Sequence, residues 1–422
     1  MNITSRFATC ITAAMLLSTA APAVAQEPRR ITLDEAIELF ARNNLELRLA
    51  RADAIEAAAL ARQSAAYPNP TITGTHEPLS DGARSYSESY LNLSQRLEWP
   101  GTRSGRQDAA GRAAAAARAR LAADSARIAF EVKRAYTDAV RAEAAEGVII
   151  RVTEVFRQGE RSAEERYAEG DISLYDRRRM RVERARYETR LAEVGLEAAA
   201  ARRRLALLVA PTAEALQLAP AESLVGLPPV ILPERALEVA LGRRGEVAAA
   251  GAALESARAA AAVARGERIP DLTATGGYKS QSDGLAGAFF GLSLPLPVWD
   301  RRGGAVEAAE ARVSAAEARL ALTRRQVEND VRRALETYQA LSRRAELLAA
   351  APSDEAADLL EIARVAYAEG EMELIELLDA AEALMEAEVA EARLRAGLWT
   401  GYYDVERAVG GFDGATNERG DR

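Results

Sequence analysis

The chain is written twice. Landmarks recur in the same order along its 422 residues at a nearly constant spacing. Ala36, Glu38 and Glu46, in the run from Asp34 to Leu47, return as Ala236, Glu238 and Glu246 between Pro233 and Val247. PTITGT from Pro70 returns as PDLTAT from Pro270, and Tyr-Ala-Glu-Gly stands at both 167–170 and 367–370. LSQRLEWPGTR from Leu93 returns, one residue out of step, as LSLPLPVWDRR from Leu292. The recurring parts bear turns and lie outside the Ala/Glu/Arg background, so low-complexity similarity does not explain them. A chain of this kind must fold as two copies of one structural plan.

Each copy predicts a helix (about 32–66 and 233–266), a Pro/Gly/Thr-rich segment, a very long helical run (about 103–166 and 304–366), a short turn and a last helix (about 173–209 and 373–408). The first repeat occupies 26–210 and the second 233–410. Residues 211–232, with Pro211, Pro220, Pro228 and Pro229, read as a linker, and 411–422 as a disordered tail. Ala, Leu, Arg and Glu dominate the helical runs, and aromatic residues make up only 5% of the chain, which favours long helices over a compact aromatic core. A run of about 60 residues extends about 90 Å. Such helices must pack lengthwise against one another, and the Ala-rich faces at 109–123 and 305–321 allow close approach.

The segments between the helices alternate as strands do. Leu91, Leu93 and Leu97 fall on one face of 86–97, with Tyr90, Asn92, Ser94 and Arg96 on the other. Ala288, Phe290, Leu292, Leu294 and Leu296 give 287–297 its apolar face, and the Thr-rich partners are about 70–77 and 271–279. Each copy therefore holds one hairpin with strands of about ten residues, the length that crosses a bilayer when tilted. Two hairpins make only four strands. An open four-stranded sheet leaves unpaired edges that lipid does not tolerate, so a membrane location demands closure by several chains.

Composition narrows the function. Residues 1–25 carry one charge, Arg6, an apolar stretch and Ala23-Val24-Ala25 before Gln26, the pattern of a cleaved secretory signal. The sole cysteine, Cys10, lies early in that stretch, so neither a lipid anchor nor a disulfide is expected. Beyond it no apolar run reads as a membrane helix. The net charge of −8 gives no global attraction to nucleic acid, and Arg177, Arg178 and Arg179 read as a solvated helix face. One histidine, His76, and no thiol in the exported chain leave little for catalysis or for a metal centre, so neither an enzyme nor a cofactor is expected.

The start at Ile31–Ile37, the paired Tyr-x-x-Gly turns and the two hairpins resemble the outer-membrane efflux protein family, the TolC-like channels, over roughly residues 30–410. LSQRLEWPGTR is most similar to the cobalt-zinc-cadmium or copper efflux branch. The resemblance implies a mainly α protein with a β-barrel portion. Its homotrimer closes a twelve-strand outer-membrane barrel that continues as a periplasmic α-helical barrel. It implies passive conduction, with a periplasmic adaptor and an inner-membrane pump of the resistance-nodulation-division type as partners and outer-membrane lipid around the barrel. By the same resemblance Glu376 and Asp379 match an acidic pore constriction, Asp176 and Tyr367 a hydrogen-bonded latch of the closed state, and Gly170, Ile172, Ser173, Gly370 and Met372 the adaptor-docking tip. Met372 stands where some members carry an arginine. Trp99 and Trp299 suit the membrane interface, and Arg103 and Arg106, which oppose the dipole of the helix they begin, are expected to serve that interface too. Two other readings stay open: a multidrug channel, and a periplasmic coiled coil that bridges membranes without a pore.

Overall fold

The computed structural model describes residues 28–411 except 81, 83–84, 211–217, 224–225, 227, 229–234 and 349–352. The expected signal at 1–25, much of the linker and nearly all of the expected tail lie outside the described residues.

The first repeat runs β1 (Arg29–Ile31), α1 (Leu33–Asn43), α2 (Leu45–Ser64), β2 (Thr71–Ser80), β3 (Ser85–Leu97), α3 (Thr102–Glu169) and α4 (Leu174–Val209). After β4 (Leu218–Pro220) the second repeats the plan as α5 (Ala236–Arg243), α6 (Gly245–Gly266), β5 (Leu272–Gln281), β6 (Ala286–Ser293), α7 (Gly303–Leu348), α8 (Ser353–Glu369) and α9 (Leu374–Val409). With 68 residues α3 spans about 100 Å.

The helix expected over 32–66 is broken. Thr32 opens α1 with a capping box: its hydroxyl accepts from Glu35 N at 3.2 Å, and Glu35 accepts from Thr32 N at 2.9 Å. Asn44 then leaves the helical region at ψ 125 and caps α2, its side chain accepting from Leu47 N at 3.0 Å. Arg244 makes the same break between α5 and α6 at ψ 123. Its buried guanidinium pairs with Glu246 at 2.8 Å and Asp330 at 3.4 Å. Right after it, Gly245 lies so close to α3 that a Cβ there would come within 2.9 Å of Ala123 Cα. The short parallel pair β1–β4, absent from the sequence-based plan, ties the start of the chain to the linker.

One helix departs from the expectation that none could cross a membrane. By length and composition α6 qualifies. Its charged residues explain why it stays with its neighbours instead: Arg258 pairs with Glu317 at 2.8 Å and Arg265 with Glu310 at 2.9 Å, both on α7, and Glu255 pairs with Arg112 of α3 at 3.1 Å.

The hairpins join in one antiparallel sheet of order β2-β3-β5-β6, so the two repeats meet at β3–β5 and the edges are β2 and β6. β6 stops at Ser293, short of the expected 297, because Pro295 and Pro297 have no N–H to give a ladder. The helical cores also cross the repeats. Phe156, Met180 and Tyr187 of the first pack with Tyr367, Leu377 and Leu384 of the second, and the Phe156 and Tyr187 rings stack at 4.3 Å.

Candidate functional site

Three places bear on function: the tip turns, the joint between sheet and helices, and the sheet itself. At the tip, α3 and α8 both end in a left-handed glycine, Gly170 at φ 88 and Gly370 at φ 81, a conformation that favours glycine. Asp171 N donates to Arg166 O at 2.9 Å and Glu371 N to Ala366 O at 2.8 Å, closing the two turns alike.

The helices leaving these turns start alike too. Ser173 and Asp176 form a capping box on α4, with Asp176 Oδ2 accepting from Ser173 Oγ at 2.6 Å and Ser173 N at 3.3 Å. Glu373 and Glu376 form the corresponding box on α9, with Glu376 Oε2 accepting from Glu373 N at 2.9 Å. Asp176 and Glu376, given different roles by resemblance, thus share one local role. Both Glu376 and Asp379 are exposed, three residues apart on α9, and among the described residues Asp379 makes no ion pair.

Tyr367 is 3% exposed. Burial pushes its phenol pKa up, the nearby Arg166 guanidinium opposes this, and Asp176 adds to it. Asp176 and Tyr367 are thus within electrostatic reach, and no hydrogen bond joins their side chains among the described residues. The contact that does join the turns is Arg166: its Nη1 donates to Tyr367 O at 3.0 Å, and its guanidinium lies 5.5 Å from the Tyr367 ring centroid. Ala366 holds the equivalent place in the second repeat. That asymmetry between otherwise matched turns was the available signal for Arg166. Arg177, the first of the basic run, stacks on Tyr167 at 4.3 Å and pairs with Glu164 at 3.2 Å.

Of the expected docking residues, Gly170, Ser173 and Gly370 are exposed. Ile172 and Met372 are half-buried and pack against the cluster beneath the turns. Leu174 and Tyr175, not singled out from sequence, present apolar surface beside them.

At the joint, Trp99 is 42% exposed, but its indole N–H donates to Pro270 O at 2.7 Å, fastening the first hairpin to the base of the second. Trp299 is 97% exposed. Arg103 donates to Ala65 O at 2.6 Å and stacks on Tyr67 at 3.8 Å, and Arg106 donates to Ser64 O at 3.2 Å and pairs with Glu98. These arginines face the carbonyl end of α2, where a cation is favoured. That resolves the unfavourable position they hold at the start of α3.

The sheet has two unlike faces. One carries Ile72, Leu91, Leu93, Tyr278, Phe290 and Leu292, all exposed, with Phe290 at 87% and Ile72 and Leu292 each at 73%. The other carries Thr71, Thr73, Thr75, Asn92, Ser94, Thr273 and Thr275. His76 lies on the first face and bonds Ser89 Oγ at 2.9 Å. Among the described residues no group of His, Cys, Asp and Glu has the makings of a metal centre.

Residues 236–411 match the family described as outer membrane efflux protein. The cobalt-zinc-cadmium resistance protein CzcC of Cupriavidus metallidurans is 26% identical over 382 residues, 90% of each chain. The CmeC outer membrane channel of Campylobacter jejuni superposes with a TM-score of 0.76 at 19% identity, over 90% of this chain and 85% of that one. CusC, whose structures are described in terms of transmembrane channel formation, superposes with a TM-score of 0.72 at 20% identity, over 92% and 94%. Residues 236–411 thus match the outer membrane efflux protein family, and over nine-tenths of its length the chain is similar to CzcC and shares the fold of the CmeC and CusC outer membrane channels.

Proposed function

We propose that this chain is the outer-membrane channel of a tripartite efflux system and that it conducts heavy-metal cations passively. The observation that carries the reading is the sheet: an exposed apolar face, a polar face, and two open edges. β2 and β5 have ten residues each and β3 thirteen, enough to cross a bilayer's apolar core when tilted. Edges β2 and β6 must then be paired by other copies, and three four-stranded sheets make a twelve-strand barrel. The long helices continue that barrel through the periplasm. The channel does no chemistry: an inner-membrane pump supplies the energy, and a periplasmic adaptor docks at the tip around Gly170, Ser173 and Gly370, with Ile172 and Met372 supporting the turns from beneath.

In a threefold assembly Glu376 and Asp379 recur three times each around the axis, forming acidic rings that favour cations. By resemblance Asp176 and Tyr367 form a hydrogen-bonded latch in the closed trimer, and within one chain Arg166 crosses between the turns to Tyr367 O at 3.0 Å. The metal substrate is supported by the similarity to CzcC, named for cobalt, zinc and cadmium resistance. Deletion in the source organism, with plasmid complementation, tests it. Sensitivity to cobalt, zinc, cadmium or copper is expected. Sensitivity confined to dyes and detergents would move the protein to multidrug export.

A further inference from the structure

The polar face of the sheet changes character along its length. The row Thr71, Ser94, Thr275, Gly291 holds small residues only. Toward the hairpin ends the rows become bulky: Phe289 opposes Gly277, Tyr90 opposes Lys279, and Glu88 opposes Gln281, with Tyr86 beyond.

These side chains are held in place. Glu88 is a hub on β3 that accepts hydrogen bonds from Tyr86 at 3.0 Å, from Gln281 at 2.6 Å and from Tyr90, and it pairs with Lys279 at 2.9 Å. The Tyr90 ring meets Phe289 edge-on, with centroids 6.4 Å apart. Gly277 makes room for Phe289: a Cβ there would lie 2.6 Å from its ring. Opposite, on the apolar face, Leu91 and Leu93 stand exposed.

We propose that Tyr86, Tyr90 and Phe289, braced by Glu88, Lys279 and Gln281, form an aromatic belt inside the extracellular end of the barrel and act as a second, outer size filter. The inference rests on the channel reading, which makes the polar face the lumen and the hairpin ends the outer mouth. Three copies bring three such clusters to one level of the pore. Lys279 offsets the charge of Glu88, so the belt discriminates by size, while charge selection is left to the acidic tip. Hydrated metal cations pass it, and bulky solutes outside the cell are kept from the lumen.

A single thiol below the belt tests this. Cys10 is the sole cysteine of the chain, so Thr275→Cys in a Cys10→Ala background supplies one lumen reporter. Intact cells are treated with a small hydrophilic methanethiosulfonate and with maleimides on polyethylene glycols of graded size. The small reagent is expected to label the reporter, with a sharp polymer cut-off. That cut-off shifts upward in Tyr86→Ala/Tyr90→Ala/Phe289→Ala, and an Ile72→Ala control on the other face leaves it in place. If the triple variant does not assemble, Phe289→Ala alone, which leaves the Glu88 hub intact, shows the same shift. A cut-off that no belt variant moves overturns the belt and leaves the channel standing. Refusal of the small reagent at Thr275→Cys, with labelling at Leu93→Cys, overturns the lumen assignment and the belt with it.

Discussion

At the tip a few side chains decide how the two turns are held, and the copies settle it differently. Arg166 reaches from the end of α3 to the last carbonyls of α8, where the helix dipole favours a cation. Ala366 offers nothing in return. Arg166→Ala should therefore loosen both turns, seen as faster amide hydrogen exchange at 170–173 and 370–373, with Arg166→Lys intermediate; unchanged exchange would contradict the contact's role. A hydrogen bond to a charged group is worth about 1.5–3 kcal/mol, so its loss is large for a single exposed turn. For the acidic ring the capping geometry chooses the variant. Glu376→Gln keeps an acceptor for Glu373 N while removing charge, and Asp379→Asn removes the second charge on the same face. Together they should abolish most of the divalent-cation block in planar bilayers and leave assembly intact; unchanged block would remove the ring. Asp176 shows how far sequence reaches here. Its pairing with Tyr367 was implied by the family resemblance alone, and its use as a cap was not foreseen, although a carboxylate three residues past Ser173 fits the capping-box pattern.

At the scale of elements, duplication made order and type legible, and the departures have local causes. Asn44 is a plain cap signal inside a helical run, whereas Arg244 makes the same break without one, held by Glu246 two residues on and by Asp330 of α7. The two breaks should differ in sensitivity. Asn44→Ala removes a cap worth about 1 kcal/mol. Arg244→Ala leaves two carboxylates beside a buried void and should cost about 3 kcal/mol or more, read as the larger drop in thermal midpoint of the purified protein. Nearby, Asp404 on α9 has its carboxyl pKa raised, chiefly by burial, with Arg407 and Arg333 opposing and Asp330 adding. A carboxyl raised in the folded state contributes stability below its unfolded pKa, and that contribution is lost as pH rises through the folded value. Asp404→Asn should therefore raise the thermal midpoint at neutral pH and change it little in strong acid. The opposite pH dependence would place Asp404 in a favourable ion pair.

At the scale of the molecule, the architecture follows from what one copy leaves unsatisfied. Strand alternation and the long helical runs were readable from one chain, since each is a local consequence of residue type, whereas the stop of β6 before Pro295 and the breaks within the expected helices were not. The pairing of β3 with β5 was not, because nothing in either hairpin alone sets which edge meets which. β1–β4 escaped for the same reason, as its three-residue strands are too short to show a period. What remains open in the isolated chain are edges β2 and β6 and the apolar face of Ile72, Phe290 and Leu292, and all are answered at once if copies close a barrel in lipid. The most direct test is a crosslink across that closure. Single cysteines placed on β2 and on β6 in a Cys10→Ala background, treated with a short bis-maleimide in whole cells, should yield a heat-modifiable species of three chains in the outer-membrane fraction. Recovery of an uncrosslinked single chain from the soluble periplasm would contradict the channel altogether.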